Sequence, residues 1–182
     1  KRVAVLMEDC KKNGVEVLAP SVNESEMDFS VNASGQIRFG LQAISGMGEA
    51  AAEAVISERE TNGSFSDIFD FLRRVNMRTI NRKNIEALIK AGAFDSLGDN
   101  HRAQFFSPID NMGGKDSSGC YLDILCRWAS RVQSMSESSQ MSIFDMGDEI
   151  KEDDHPPLPT NVPEWTVLER CRYEKEALSI YL

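Results

Sequence analysis

Apolar side chains recur every three or four residues through most of this chain and alternate only in short pieces before residue 40. That pattern predicts a mainly α-helical fold with one small β element. Val3 to Asn13 reads as the end of a helix, with Lys11 and Lys12 in the last turn and Gly14 as its stop. Val15-Glu16-Val17-Leu18 is a short extended piece closed by Pro20. Phe29-Ser30-Val31 and Ile37-Arg38-Phe39 alternate about Asn32 to Gly35, the signature of a small β-hairpin. Leu41 and Ile44 then lead into Gly46-Met47-Gly48, and a helix-forming run starts at Glu49. Thr61-Asn62-Gly63 breaks it, and Ser66 is expected to cap a helix carrying Ile68, Phe69, Leu72 and Val75 on one side. A further helix is predicted from Arg82 to Ala91, with Ile85, Leu88 and Ile89 inward and Gly92 as stop. After it the chain turns through Phe94 and Leu97 into a short helix from about Asn100. Tyr121, Leu122, Ile124, Leu125, Trp128 and Val132 form another packing face. Gln133 to Gln140 is serine-rich, and the chain is then acidic and proline-rich to Pro163, which predicts a tether. Trp165 to Leu182 returns to an amphipathic helix, with Leu168, Cys171, Leu178 and Ile180 expected to pack.

The stretch with the most chemistry in it is Leu41 to Arg59. Two glycines around one apolar residue permit a tight turn with positive φ, which residues bearing a Cβ resist. Such a turn leaves the amides of Gly48, Glu49 and Ala50 unpaired at the start of a helix, where the helix dipole favours an anion. Ala51, Ala52 and Ala54 allow close helix packing, and Met47 is placed to plug the gap. This pattern resembles a helix-hairpin-helix, a module that holds a DNA phosphate without reading bases. The segment from Arg82 to Phe106 resembles a second, degenerate unit stacked on the first, so the expected architecture is a tandem helix-hairpin-helix bundle. Against phosphate binding stand Glu49 and Glu53 beside the site and the lack of a lysine in the turn. The alternative is a hairpin that turns at glycines and binds nothing.

Charge sharpens this picture. The net charge is -9, the wrong sign for a DNA binder, but residues 137–164 carry eight acids and one base. Residues 73–90 carry six bases (Arg73, Arg74, Arg78, Arg82, Lys83, Lys90) and the single acid Glu86. Fields screened over about 8 Å act locally, so a basic stretch just after the hairpin outweighs a distant acidic one. Those bases are equally compatible with a solvated helix face. A length of 182 residues suits one ordinary domain or two small ones. No run approaches the ~18 apolar residues of a membrane span, and no secretory leader is visible, so the expectation is a cytoplasmic protein without a membrane partner. Cys10, Cys120, Cys126 and Cys171 form no C-x-x-C pair, which favours reduced thiols over a zinc site. The chain starts on Lys1 rather than methionine, and the expectation is a piece of a larger protein.

Five blocks in one order carry a wider resemblance: Cys10–Phe29, Ile37–Ala51, Asn81–Gly98, Ser138–Asp145 and Glu174–Leu182. Together they resemble the alpha-subunit family of bacterial DNA polymerase III, the C-family replicative polymerases, over nearly the whole chain except about residues 108–136. The resemblance implies a segment running from the end of the fingers through the tandem helix-hairpin-helix region to the clamp-binding segment. The implied division is 1–40 for the end of the fingers with the β-hairpin, 41–136 for the DNA-binding domain, 137–163 for a flexible acidic linker with the clamp motif, and 164–182 for a helix leading onward. It implies double-stranded DNA, the sliding clamp and other replicase subunits as partners. Implied contacts to the DNA backbone are Gly46, Met47, Gly48, Glu49, Ala50, Arg78, Arg82 and Lys83. Two departures matter: Ser45 stands where the family often has lysine, and the acidic spacer is unusually charged.

Gln140-Met141-Ser142-Ile143-Phe144 resembles the short peptide by which replication proteins hold the sliding clamp. Ile143 and Phe144 suit an apolar pocket, and the Gln140 amide can donate and accept at its rim. The other possibility is that Ile143 and Phe144 fold back on the chain's own core. No catalytic residue is assigned. Polymerases need clustered carboxylates for two Mg²⁺ ions, and the one dense run, Asp153-Asp154-His155, reads as solvated charge. The resemblance therefore puts Mg²⁺ and the nucleotidyltransferase chemistry in the catalytic part of a parent DNA-directed DNA polymerase, with no cofactor in this segment. The expected function is duplex binding and clamp tethering for processive template-directed synthesis. The alternatives are a structural or protein-interaction module without DNA binding of its own, and a stand-alone repair factor.

Overall fold

A computed structural model of the chain describes residues 2–109, 119–139 and 155–180. Helix α1 (Arg2–Lys12) is followed by strands β1 (Val17–Leu18), β2 (Ser30–Val31) and β3 (Ile37–Arg38). The predicted hairpin is there: β2 pairs antiparallel with β3, and the Asn32 carboxamide oxygen accepts the Ser34 and Gln36 amides at 3.0 and 2.9 Å to close the turn. The sheet has a third member. The extended piece before Pro20 is β1, which lies parallel to β3 with Val17 opposite Ile37, giving the order β1-β3-β2.

A short 3-10 turn (Leu41–Ala43) leads to α2 (Glu49–Asn62), α3 (Ile68–Arg74), α4 (Arg82–Ala91), α5 (Arg102–Phe105), α6 (Tyr121–Ser139) and α7 (Val167–Leu178). Helix α4 has the boundaries its sequence predicts. Asn81 caps its start by accepting the Lys83 and Asn84 amides, and Gly92, at φ +82°, ends it in the left-handed region that glycine alone enters freely. Helix α3 starts one residue later than Ser66 suggests. Asp67 is the cap, accepting the Asp70 amide at 2.7 Å, while the Ser66 amide donates to the Asp70 carboxylate.

One core runs across the boundaries expected at 40/41 and 163/164, because Val22, Phe39, Leu178 and Ile180 are buried in the same cluster as Leu72 and Leu88. Its centre is aromatic, with Phe71 edge-on to both Phe65 and Phe94 at centroid separations of 4.9 and 5.0 Å. Residues 21–25 join the sheet to the helices. The Val22 amide donates to the Ala93 carbonyl, and the Asn23 side chain exchanges two hydrogen bonds with the Phe65 backbone.

Three expectations about the second half need correction. The serine-rich stretch from Gln133 is not a tether where it is described, since α6 continues to Ser139. Ser130 and Ser134 donate their hydroxyls to carbonyls four residues back, which satisfies those groups within the helix. Gln133 donates to the Leu72 and Val75 carbonyls at 2.9 and 2.7 Å, capping the end of α3. The far end of the expected linker is docked as well. His155 stacks on Phe69 at 3.7 Å, so it does not stand in solvent, and the Pro156 and Pro159 carbonyls accept from Tyr121 and Gln104. Leu168, expected to pack, is 80% exposed, because α7 turns Ala177 and Leu178 inward instead.

Candidate nucleic-acid interface

The glycine turn is built from Ile44 to Met47. The Met47 amide donates to the Ile44 carbonyl at 3.0 Å, and Gly46 sits at φ +87°, the arrangement of a turn that needs glycine at its third position. Gly48 does not share that conformation. At φ -81° and ψ 164° it is the extended residue preceding α2. The arm before the turn is shorter than a helix, a single 3-10 turn, because Ile44 is already extended. Met47 is buried at 4% exposure, with Ala51 and Ala52 buried beside it, as the plug-and-small-residue pattern requires.

Gly46, Gly48, Glu49 and Ala50 are exposed. Among the described residues no acceptor lies on the amides of Gly48, Glu49 and Ala50, so three donors at the start of α2 face outward. Two supports hold the turn beneath them. The Ser45 amide donates to the Ala177 carbonyl at the end of α7 at 2.7 Å, and the Asn84 carboxamide donates to the Gly46 carbonyl at 2.7 Å. Asn84 is the third residue of α4, so the N-terminal ends of α2 and α4 meet at the turn. Sequence reading passed over Asn84, whose signal was its place three residues after the helix cap.

The basic stretch mostly holds the fold together. Arg74 pairs with Glu58 and Asp70, both at 3.0 Å, donates to the Gly63 carbonyl and lies over the Phe65 ring, clasping the α2–α3 junction. Lys90 bridges Glu86 and Glu176, each at 2.8 Å, and joins α4 to α7. Arg82 pairs with Glu86 at 2.6 Å and with Asp123 of α6, so it is a tie between helices and no free phosphate ligand. Burial pushes the Glu86 carboxyl up, but Lys90 and Arg82 outweigh it and leave the group below its ordinary value. Asp123 is likewise held low: burial is outweighed by the Cys120 amide and Arg82. Arg78 is exposed and Arg73 half-buried, and both are engaged in interactions of their own. Lys83, exposed beside Asn84, has no ion-pair partner among the described residues. Glu49 and Glu53 are exposed one turn apart on α2, so the acid near the site is real. Gln140 to Phe144 lie outside the described residues.

Comparison with known proteins agrees with this geometry. The family described as the helix-hairpin-helix motif matches residues 14–104, half of the chain. The DNA polymerase III subunit alpha of Thermus aquaticus is 37% identical over 183 residues, and that of Deinococcus radiodurans 35% over 181. Both matches cover all of this chain but only 13% and 12% of those relatives' lengths. The subunit from Pasteurella multocida is 42% identical over 110 residues, which are 60% of this chain and 9% of that protein. No described helix is long and apolar enough to cross a membrane. The chain belongs to the helix-hairpin-helix family, and along its whole length it is similar to one segment of the bacterial DNA polymerase III alpha subunit.

Proposed function

We propose that this chain is a duplex-DNA-backbone-binding segment of a replicative DNA polymerase. The observation that carries the reading is the row of outward amides at Gly48, Glu49 and Ala50, set on a rigid turn where two helix N-termini meet. Backbone amides and a helix dipole hold a phosphate without regard to base, which is what a polymerase moving along DNA requires. Lys83, which has no ion-pair partner among the described residues, adds a cation next to the turn, and Arg78 extends the basic edge. Glu49 and Glu53 keep the grip weak, so a single site releases readily as the enzyme advances. The whole protein would carry out template-directed nucleotidyl transfer with other replicase subunits in the cytoplasm, using catalytic carboxylates and Mg²⁺ outside this chain.

Gly48→Asp separates this reading from a hairpin that binds nothing. The backbone at Gly48 suits any residue, and a Cβ there meets nothing within 4 Å. Aspartate is a better helix cap than glycine, so the fold should gain a few tenths of a kcal/mol. Its carboxylate would also accept from the Ala50 amide and set a negative charge against the other two, so duplex affinity should fall about tenfold, equivalent to ~1.4 kcal/mol. Thermal melting and fluorescence anisotropy with one labelled duplex read both. A variant that binds DNA as tightly as the parent would overturn the phosphate site.

The same segment also tethers the polymerase to its sliding clamp, with Ile143 and Phe144 filling a pocket and Gln140 hydrogen-bonded at its edge. The support is the Gln140 to Phe144 sequence in its serine-rich and acidic surroundings. The double variant Ile143→Ala, Phe144→Ala should weaken calorimetric binding to a clamp from the same organism by about an order of magnitude or more. Unchanged affinity would leave a protein-interaction scaffold as the better description.

A further inference from the structure

We infer that Asn84 is a positioning residue for phosphate binding, holding the glycine turn from the neighbouring helix. The role rests on the phosphate-binding reading of that turn. Asn84 is 5% exposed and both ends of its carboxamide are used. The oxygen accepts the Asn81 amide at 2.9 Å and the nitrogen donates to the Gly46 carbonyl at 2.7 Å. The first bond fixes which way the carboxamide faces, so the second always presents a donor to the turn. Asparagine suits this task because aspartate, its nearest match in shape, has no N–H.

The consequence lies in the Gly46–Met47 peptide. Its N–H donates to Ile44 and its C=O accepts from Asn84, so the peptide plane is held at both edges. Glycine at position 46 offers little torsional resistance of its own. Without Asn84 only the Met47 to Ile44 bond holds the plane, which can then tilt its carbonyl oxygen towards the outward amides and spoil an anion site. Asn84 thereby couples α4 to the turn, so that the basic start of α4 and the amides of α2 keep a fixed relation.

Hydrogen exchange of the Met47 amide in the free protein tests the hold, and duplex affinity tests its use. Asn84→Ala should speed Met47 exchange about tenfold and lower duplex affinity about five-fold, the scale of one lost hydrogen bond. Asn84→Asp keeps the acceptor for Asn81 but replaces the donor with a charged oxygen, so it should speed Met47 exchange while α4 stays capped, and the affinity test is read on Asn84→Ala alone. Asp67→Ala, which removes the cap of α3, is the control for general destabilisation. It should lower the melting temperature and leave Met47 exchange and DNA affinity at parental values. Parental exchange in both Asn84 variants would overturn the hold, and faster exchange with parental affinity would overturn its use. A parent chain that fails to bind DNA would overturn the phosphate reading itself and this role with it, whatever the exchange shows.

Discussion

Replacing Arg102 with alanine is expected to remove about 3 kcal/mol of stability, the lower end of the roughly 3–5 found when one partner of a buried pair is lost. Arg102 and Glu174 are each 9% exposed, and the guanidinium donates to Glu174 and to the Lys90 carbonyl at 2.8 and 3.1 Å. Asp95, its third partner, is half-exposed and accepts from the guanidinium through both carboxylate oxygens. Removing the cation strands the Glu174 carboxylate inside the α4–α7 contact and takes the side-chain donor from the Lys90 carbonyl. Urea denaturation would measure the loss. Adding Glu174→Gln should recover part of it, because the orphaned charge disappears. A single variant within about 0.5 kcal/mol of the parent, as for an ordinary surface change, would contradict the buried-pair account.

Leu88→Ala should cost a similar amount, roughly 2–5 kcal/mol. Leu88 has no exposed surface and lies with Ile85 and Ile89 on the inward face of α4, the helix that meets both α6 and α7. A site enclosed on so many sides cannot collapse to fill the space, which favours the upper half of that range. Thermal and urea melting should shift together, and an unchanged melting curve would place α4 outside the core.

Local signals explain what was legible beforehand. Helix α4 carries its cap, its apolar spacing and its terminal glycine within twelve residues, and it was read from end to end. The Gly46-Met47-Gly48 turn, its buried methionine and the helix start at Glu49 were legible for the same reason. What escaped depends on partners distant in the chain. The parallel pairing of β1 with β3 spans twenty residues of separation. Arg82 read as a candidate phosphate ligand because Asp123, its partner, lies 41 residues away. Arg102 carries no local signal of its role, since Glu174 is 72 residues downstream. The serine-rich end of α6 misled differently. Composition argued for a tether, but Gln133 ties α6 to the end of α3 through the Leu72 and Val75 carbonyls, partners 61 and 58 residues away.

The most direct test of the central proposal is duplex binding by the intact chain across a salt series. Two to four phosphate contacts predict that log K falls linearly with log salt, at a slope of about -0.9 per contact, and that unrelated duplex sequences give the same line. Affinity that does not change with salt, or no measurable binding at the lowest salt, would contradict it.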